Sequence, residues 1–298
     1  MTRGGAALSL VFVAMLWSIG GVLIKVVDWN PLAIAGGRST IAAVFLGVAL
    51  TWSYSRAARA KKTAGPSADA VPARILPRLS WPLFGAAASV ALCMLLFVTA
   101  TRLTTAANAV VLQYLAPIHV ALIAPKFLGE KTHPRDWLAL VLALGGLTLF
   151  FWGGVSAQGR LGILLAVGTS FAFAGIPLFL RRMGSAGGQT EAVLLGNTLL
   201  ALVCLPFYFK GPPPSLKGIG ALLILGVFQV GLAYFVYSKV IRHVRALEAL
   251  LIPVIEPTLN PVWVFLFIGE RPSTQSIIGG ALVLGAAVMQ GLLASRGR

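Results

Sequence analysis

Groups that do chemistry in water are scarce in this chain. Its 298 residues include eight acidic side chains, three histidines and two cysteines, too few for a hydrolytic or metal centre to be expected. The metalloprotease pattern H-E-x-x-H, the nucleophile pattern G-x-S-x-G and the phosphate-binding loop are all missing. No enzyme, cofactor or metal is therefore expected, and uphill work would have to draw on a gradient or on another protein. Cys93 and Cys204 sit inside apolar runs, where a thiol packs as a small hydrophobe, so no disulfide framework is implied. With so little acid, the 24 Lys and Arg leave a net charge of +16. In a soluble protein this would suggest nucleic acid. Here the basic residues stand singly or in small groups at the ends of apolar runs, as topology signals do, and no nucleic acid partner is expected.

What the chain has in abundance is apolar surface. Hydrophobic residues make up 58% of it and charged ones 11%, a balance that leaves a soluble fold with large exposed apolar patches. The solvent is then lipid. Apolar stretches cut at Pro, Gly and charge clusters predict helices near 6 to 27, 32 to 53, 81 to 101, 105 to 128 and 135 to 152. A second set falls near 161 to 181, 189 to 209, 218 to 240, 246 to 268 and 273 to 294. The first run, after Arg3, is too long for a signal-peptide core and is read as a spanning helix. The fold class expected is an all-α membrane protein of about ten transmembrane helices. Residues 54 to 79, rich in Arg, Lys, Pro, Ala and Ser, read as a flexible cytoplasmic linker. With the N-terminus inside, inner segments hold seventeen of the 24 basic residues, which places both termini in the cytoplasm.

An internal repeat appears at an offset of 140 residues. Pro117, Phe127, Gly129 and Glu130 meet identical residues at Pro257, Phe267, Gly269 and Glu270. Two halves follow, 1–153 and 160–298, and five helices in each force the second to enter the membrane inverted. Such inverted repeats are a recurring plan of secondary transporters, whose substrate sites lie near the midplane between the repeats. A channel-like facilitator or a gradient-driven importer would fit the same pattern, and an intramembrane enzyme fits it least.

These residues resemble the drug/metabolite transporter superfamily, in particular its ten-helix EamA-type branch. The resemblance rests on Trp17 to Lys25 (WSIGGVLIK), on Pro31 with Arg38, and on Glu256-Pro257 with the P-x11-G-E turns ending helices 4 and 9. It covers nearly the whole chain outside the 54 to 79 linker. Helix 6 departs from the pattern, with Phe171 and Phe173 where a Trp is more usual. The resemblance implies a multi-pass protein of a bacterial inner membrane that exports amino acids, related metabolites or toxic organic cations. The branch exporting aromatic amino acids suits the aromatics below.

Pro253, Pro257 and Pro261 recur every four residues along helix 9, and Pro117 and Pro125 interrupt helix 4. Each removes an amide and frees the carbonyl four residues earlier: Pro253 and Pro257 in helix 9, Gln113 and Ala121 in helix 4. Lipid cannot satisfy those groups, so they face protein or a wet cavity, unless the prolines serve only as kinks. Glu256 lies roughly 15 Å deep along helix 9, and an acid there is a candidate proton carrier or counter-ion for a cationic substrate group. The alternative is a neutral carboxyl donating to a freed carbonyl. Asn260 and Trp263 share its face. Trp17, Tyr114, Tyr234 and Tyr237 are candidates for an aromatic cavity wall, and His119 for a polar site group. Gly21 is expected to face the cavity, while the Gly145-Gly146 pair permits close helix contact. Glu130 and Glu270 read as turn and cap residues, and Glu248 as the partner of Arg245 or Lys239. The partners expected are a small molecule, the bilayer, and a proton or counter-substrate.

Overall fold

A computed structural model describes residues 2–64, 79–104, 106–150, 152, 159–184, 187–259 and 274–295. Among these, every regular element is helical. A chain this apolar has no water to complete its backbone in a bilayer, and a helix completes it within one segment. Seven helical stretches are long and apolar enough to cross a membrane: Arg3–Val26, Pro31–Arg59, Trp81–Leu103, Asn108–Phe127, Arg160–Arg182, Gln189–Phe207 and Leu216–His243. The first comprises α1 (Arg3–Ser18), capped by the Thr2 hydroxyl, and α2 (Gly20–Val26). Then follow α3 (Pro31–Ala64), α4 (Trp81–Leu103), α5 (Ala106–Gln113), α6 (Ala116–Phe127) and α7 (Pro134–Phe150). Next come α8 (Arg160–Arg182), α9 (Gln189–Cys204), α10 (Leu216–Ile224), α11 (Ala233–Val240) and α12 (Glu248–Leu251). A last helix, the C-terminal one, spans Thr274–Ser295.

One expectation needs correcting. The linker read from residue 54 onward begins as helix, because α3 continues to Ala64. Tyr54 to Lys62 is rich in Ala, Arg and Lys, which favour helix even where they cannot be buried. The Tyr54 hydroxyl also donates to the Glu191 carboxylate at the start of α9. The rest of the predicted linker, 65–78, lies outside the described residues.

Several spans are broken within themselves. α5 and α6 are separated at Tyr114 and Leu115, just before Pro117. Between α10 and α11 the chain winds as a π-helix over Leu225–Leu232. Beyond α12 the chain tightens to a 3-10 turn, Pro253–Ile255, before helix resumes at 256–259. Proline accounts for the first and last of these. α6 ends at Gly129, whose φ of 73° suits a residue without Cβ.

Packing joins the two parts of the chain along most of their length. α4 lies against α8 and α9, α3 against α9 and the π-helix, α1 against α11, and α7 against the C-terminal helix. At this last crossing a Cβ on Gly146 would stand 2.8 Å from the Gly279 carbonyl oxygen. The two backbones touch there. Gly145, its predicted companion, would meet nothing within 4 Å. Leu8, Val44, Leu92, Val141 and Leu164 point outward, at least half exposed. Such side chains are at ease only against lipid.

Candidate functional site

The broken helices converge on one cluster of aromatic rings. Trp17, near the end of α1, has its ring 5.3 Å from Tyr234, 5.6 Å from Tyr237 and 5.8 Å from Phe173. Tyr114, at the break between α5 and α6, meets Phe173 edge-on at 6.1 Å. These separations and tilts are those at which ring quadrupoles attract. All five rings are buried. Helix α8 thus supplies Phe173 to the cluster, while Phe171 faces the other way, 58% exposed.

Glu256 enters from the turn after the Pro253–Ile255 segment. Its Oε2 accepts a hydrogen bond from the Tyr114 hydroxyl at 2.7 Å. The same hydroxyl lies 3.2 Å from the Pro253 carbonyl, the one that Pro257 was expected to free. That carbonyl also accepts from the Glu256 amide, in a 3-10 bond. The carbonyl expected to be free at Ala121 accepts from the Thr132 hydroxyl at 2.7 Å. Two of the four carbonyls expected to be freed, those of Pro253 and Ala121, are therefore met by protein.

Two residues that the sequence did not single out for the site complete it. Arg38, in α3, is 1% exposed. Its Nη1 donates to Gln229 Oε1 at 3.3 Å, and its Nη2 reaches the Met94 carbonyl at 3.3 Å and the Met94 sulfur at 3.2 Å. Gln229 sits midway along the π-helix, a winding that re-aims side chains and recurs at functional sites. Gly20 makes room for it, since a Cβ there would stand 2.8 Å from Gln229 Nε2. Gly226 and Gly231 allow the π-helix to lie close on α3. Arg38, Gln229, Glu256 and Trp17 line one small cavity, together with Phe173 and Tyr234. Its volume is about 30 Å³, enough for roughly one or two waters. Admission of an organic molecule requires the helices to part.

The remaining predicted residues fall as follows. Tyr237 stands behind the wall, packed on Trp17. Gly21 is not among the residues lining this cavity, and a Cβ on it would meet nothing within 4 Å, whereas one on its neighbour Gly20 would meet the Gln229 amide. His119 also lies apart, its Nε2 2.9 Å from the Ser170 hydroxyl and its ring stacked on Phe171 at 4.0 Å. Pro117 is buried just after the α5–α6 break, and Pro253 opens the 3-10 turn that Pro257 follows. Asn260, Pro261 and Trp263 are outside the described residues, as is Glu270. Among the described residues, no group of His, Cys, Asp and Glu is arranged to hold a metal ion.

A second cluster closes one end of the helices. Arg245 donates to both oxygens of Asp136 at 2.9 Å and to Glu248 Oε1 at 2.7 Å. Gln290 adds a bond to Asp136 at 3.1 Å. Glu130 does more than end a turn: it accepts from Arg181 Nε at 2.7 Å and from the Ala246 amide at 2.8 Å. These pairs are partly buried, and Arg245 with Asp136 forms the bidentate kind that is strong. Beside them opens a larger space of about 450 Å³, lined by His133, Arg135, Asp136 and Arg245. It lies away from the aromatic cluster and is bounded by surface charge, as a mouth would be.

Comparison with known proteins agrees on the architecture. The sequence pattern of the EamA-like transporter family matches this chain twice, over residues 5–152 and 160–291. The pseudopaline exporter CntI of Pseudomonas aeruginosa is 30% identical over 189 residues, 61% of this chain and 64% of that protein. The matched stretch thus spans less than two thirds of that exporter's length. A transporter of Bacillus subtilis, YwfM, is 28% identical over 211 residues, 69% of this chain and 71% of its own. A solved crystal structure superposes on 99% of the chain and on all of its own, with a TM-score of 0.78 at 19% identity, a likeness of fold.

Proposed function

Because the chain belongs to the EamA-like transporter family, we propose that it is a secondary transporter exporting amino acids, aromatic or otherwise hydrophobic, with related metabolites or toxic organic cations. It works by alternating access. The observation that carries this reading is the aromatic cavity where broken helices from both family matches meet. Carbonyls and charges held at membrane depth are tolerated where they bound such a space.

Two halves, 1–153 and 160–298, make up the transporter as inverted five-helix repeats. In support, helix pairs recur when the halves are exchanged: α4 on α9 corresponds to the π-helix on α3, and α4 on α8 to α11 on α1. The distribution of Lys and Arg puts both termini in the cytoplasm of a bacterial inner membrane. On this topology the Arg245 and Glu130 clusters lie at the cytoplasmic mouth and bridge the two halves. Breaking them opens that side, while the cavity holds the substrate. Trp17, Phe173, Tyr234 and Glu256 form its wall, with Tyr114 holding the Glu256 carboxylate and Glu256 contacting the substrate or a coupling proton.

Counterflow tests the proposal. Purified protein in liposomes should exchange labelled hydrophobic amino acids against an internal load, with saturation. Flux that rises linearly with concentration and shows no counterflow would identify a pore instead.

A further inference from the structure

Arg38 is buried without a carboxylate within ion-pair distance among the described residues. Its partners are neutral: an amide oxygen, a backbone carbonyl and a thioether sulfur. Its Nε has no partner among the described residues. A guanidinium held this way is costly, since buried charges are normally paired or the site they form is completed by a ligand. Glu256 is the mirror case. It accepts from the Tyr114 hydroxyl, and among the described residues it too has no cation within ion-pair distance. Yet both side chains line the same small cavity, together with the rings of Trp17, Phe173 and Tyr234. If their purpose were mutual neutralisation, direct contact would be the better solution.

We infer that Arg38 and Glu256 are the two poles of one zwitterion site, Arg38 receiving the carboxylate of the substrate and Glu256 its ammonium group. This rests on the amino-acid reading above and narrows it. A guanidinium suits the task because its planar fork can take a carboxylate through two parallel bonds. Gln229 and Met94 hold the fork in place from the π-helix and α4, so these two position the anchor. Trp17, Phe173 and Tyr234 supply the apolar wall for the side chain. A molecule carrying only one charge leaves the opposite pole unpaired in a desolvated site. Discrimination by an unpaired buried group is large.

Three probe sets test the inference in proteoliposomes: phenylalanine and leucine, their amines phenethylamine and isoamylamine, and their acids 3-phenylpropionate and 4-methylpentanoate. Wild type should exchange at least one amino acid about tenfold faster than its amine or acid. Arg38→Gln should abolish that preference over the amine while amine exchange survives, and Glu256→Gln should do the same with respect to the acid. Thermal unfolding of the wild-type protein gives an answer that does not depend on any variant folding. The amino acid should raise the midpoint, and its singly charged analogues should not.

Amines carried as well as amino acids by the wild type would overturn the zwitterion site and leave the transporter standing. So would an Arg38→Gln protein that folds and keeps the original preference. Loss of accumulation in Glu256→Gln with amino-acid exchange intact would assign Glu256 to a proton and overturn the pairing. Failure of all six probes to exchange, in protein that unfolds cooperatively, would remove the amino-acid reading itself.

Discussion

Glu256 shows how much a single side chain depends on what stands across from it. On its own helix it is an acid among prolines. In the fold its carboxylate takes a bond from Tyr114, which comes from the other family match, and the two share the Pro253 carbonyl. Gly20 has a similar dependence. It leaves room for Gln229, and Gln229 in turn holds Arg38. Gly20→Ala should therefore displace the Gln229 amide and lower exchange, by roughly tenfold if one hydrogen bond of about 1.4 kcal/mol is lost. Gly21→Ala, one residue on, meets open space and should leave exchange within about twofold of wild type. Counterflow rates of the two variants, measured on equal amounts of folded protein, check this. Equal loss in both would show that the break in the first span, and not contact with Gln229, is what matters. The aromatic residues and Glu256 were legible because rings and an acid stand out in an apolar run. Arg38 entered only as one of the residues carrying the family resemblance, and Gln229 had no local mark at all. What makes them site residues is a contact between positions 191 apart in the chain.

At the scale of helices, interruptions shape the spans and charge pairs fasten their ends. Proline breaks were visible as letters, and the structure places a 3-10 turn and a split span at those points. The π-helix was not visible, since Leu225–Leu232 contains no proline and reads as ordinary apolar helix. Its extra residue per turn is stabilised by close packing on α3 through Gly226 and Gly231. The Asp136, Arg245 and Glu248 group fastens α7 to the start of α12. Removing Asp136 takes the acceptors from both Nη groups of Arg245 and from Gln290 and leaves Arg245 with Glu248 as its acid partner, so Asp136→Ala should destabilise the fold by about 2 kcal/mol. Replacing Asp136 with Asn should cost less, because an amide oxygen still accepts from Arg245 and Gln290. Thermal unfolding in detergent separates the two. An Asp136→Ala protein with an unchanged midpoint would mean that the cluster adds nothing to stability.

The arrangement of the whole molecule rests on chain direction, which composition constrains and contacts make specific. Reporter enzymes fused after Ala60 and after Arg298 should be active as cytoplasmic fusions, and one near Gln158 as a periplasmic fusion. A cytoplasmic reporter at Gln158 would contradict the odd number of crossings per half. From sequence alone came the membrane solvent, the helical class and the proline breaks, because each depends on local composition or on spacing along the chain. Which faces of those helices meet is a different kind of fact. It was decided by packing in three dimensions, where Gly146 seats Gly279, Glu130 finds Arg181, and Arg38 and Glu256 come to line a space that no one helix can enclose.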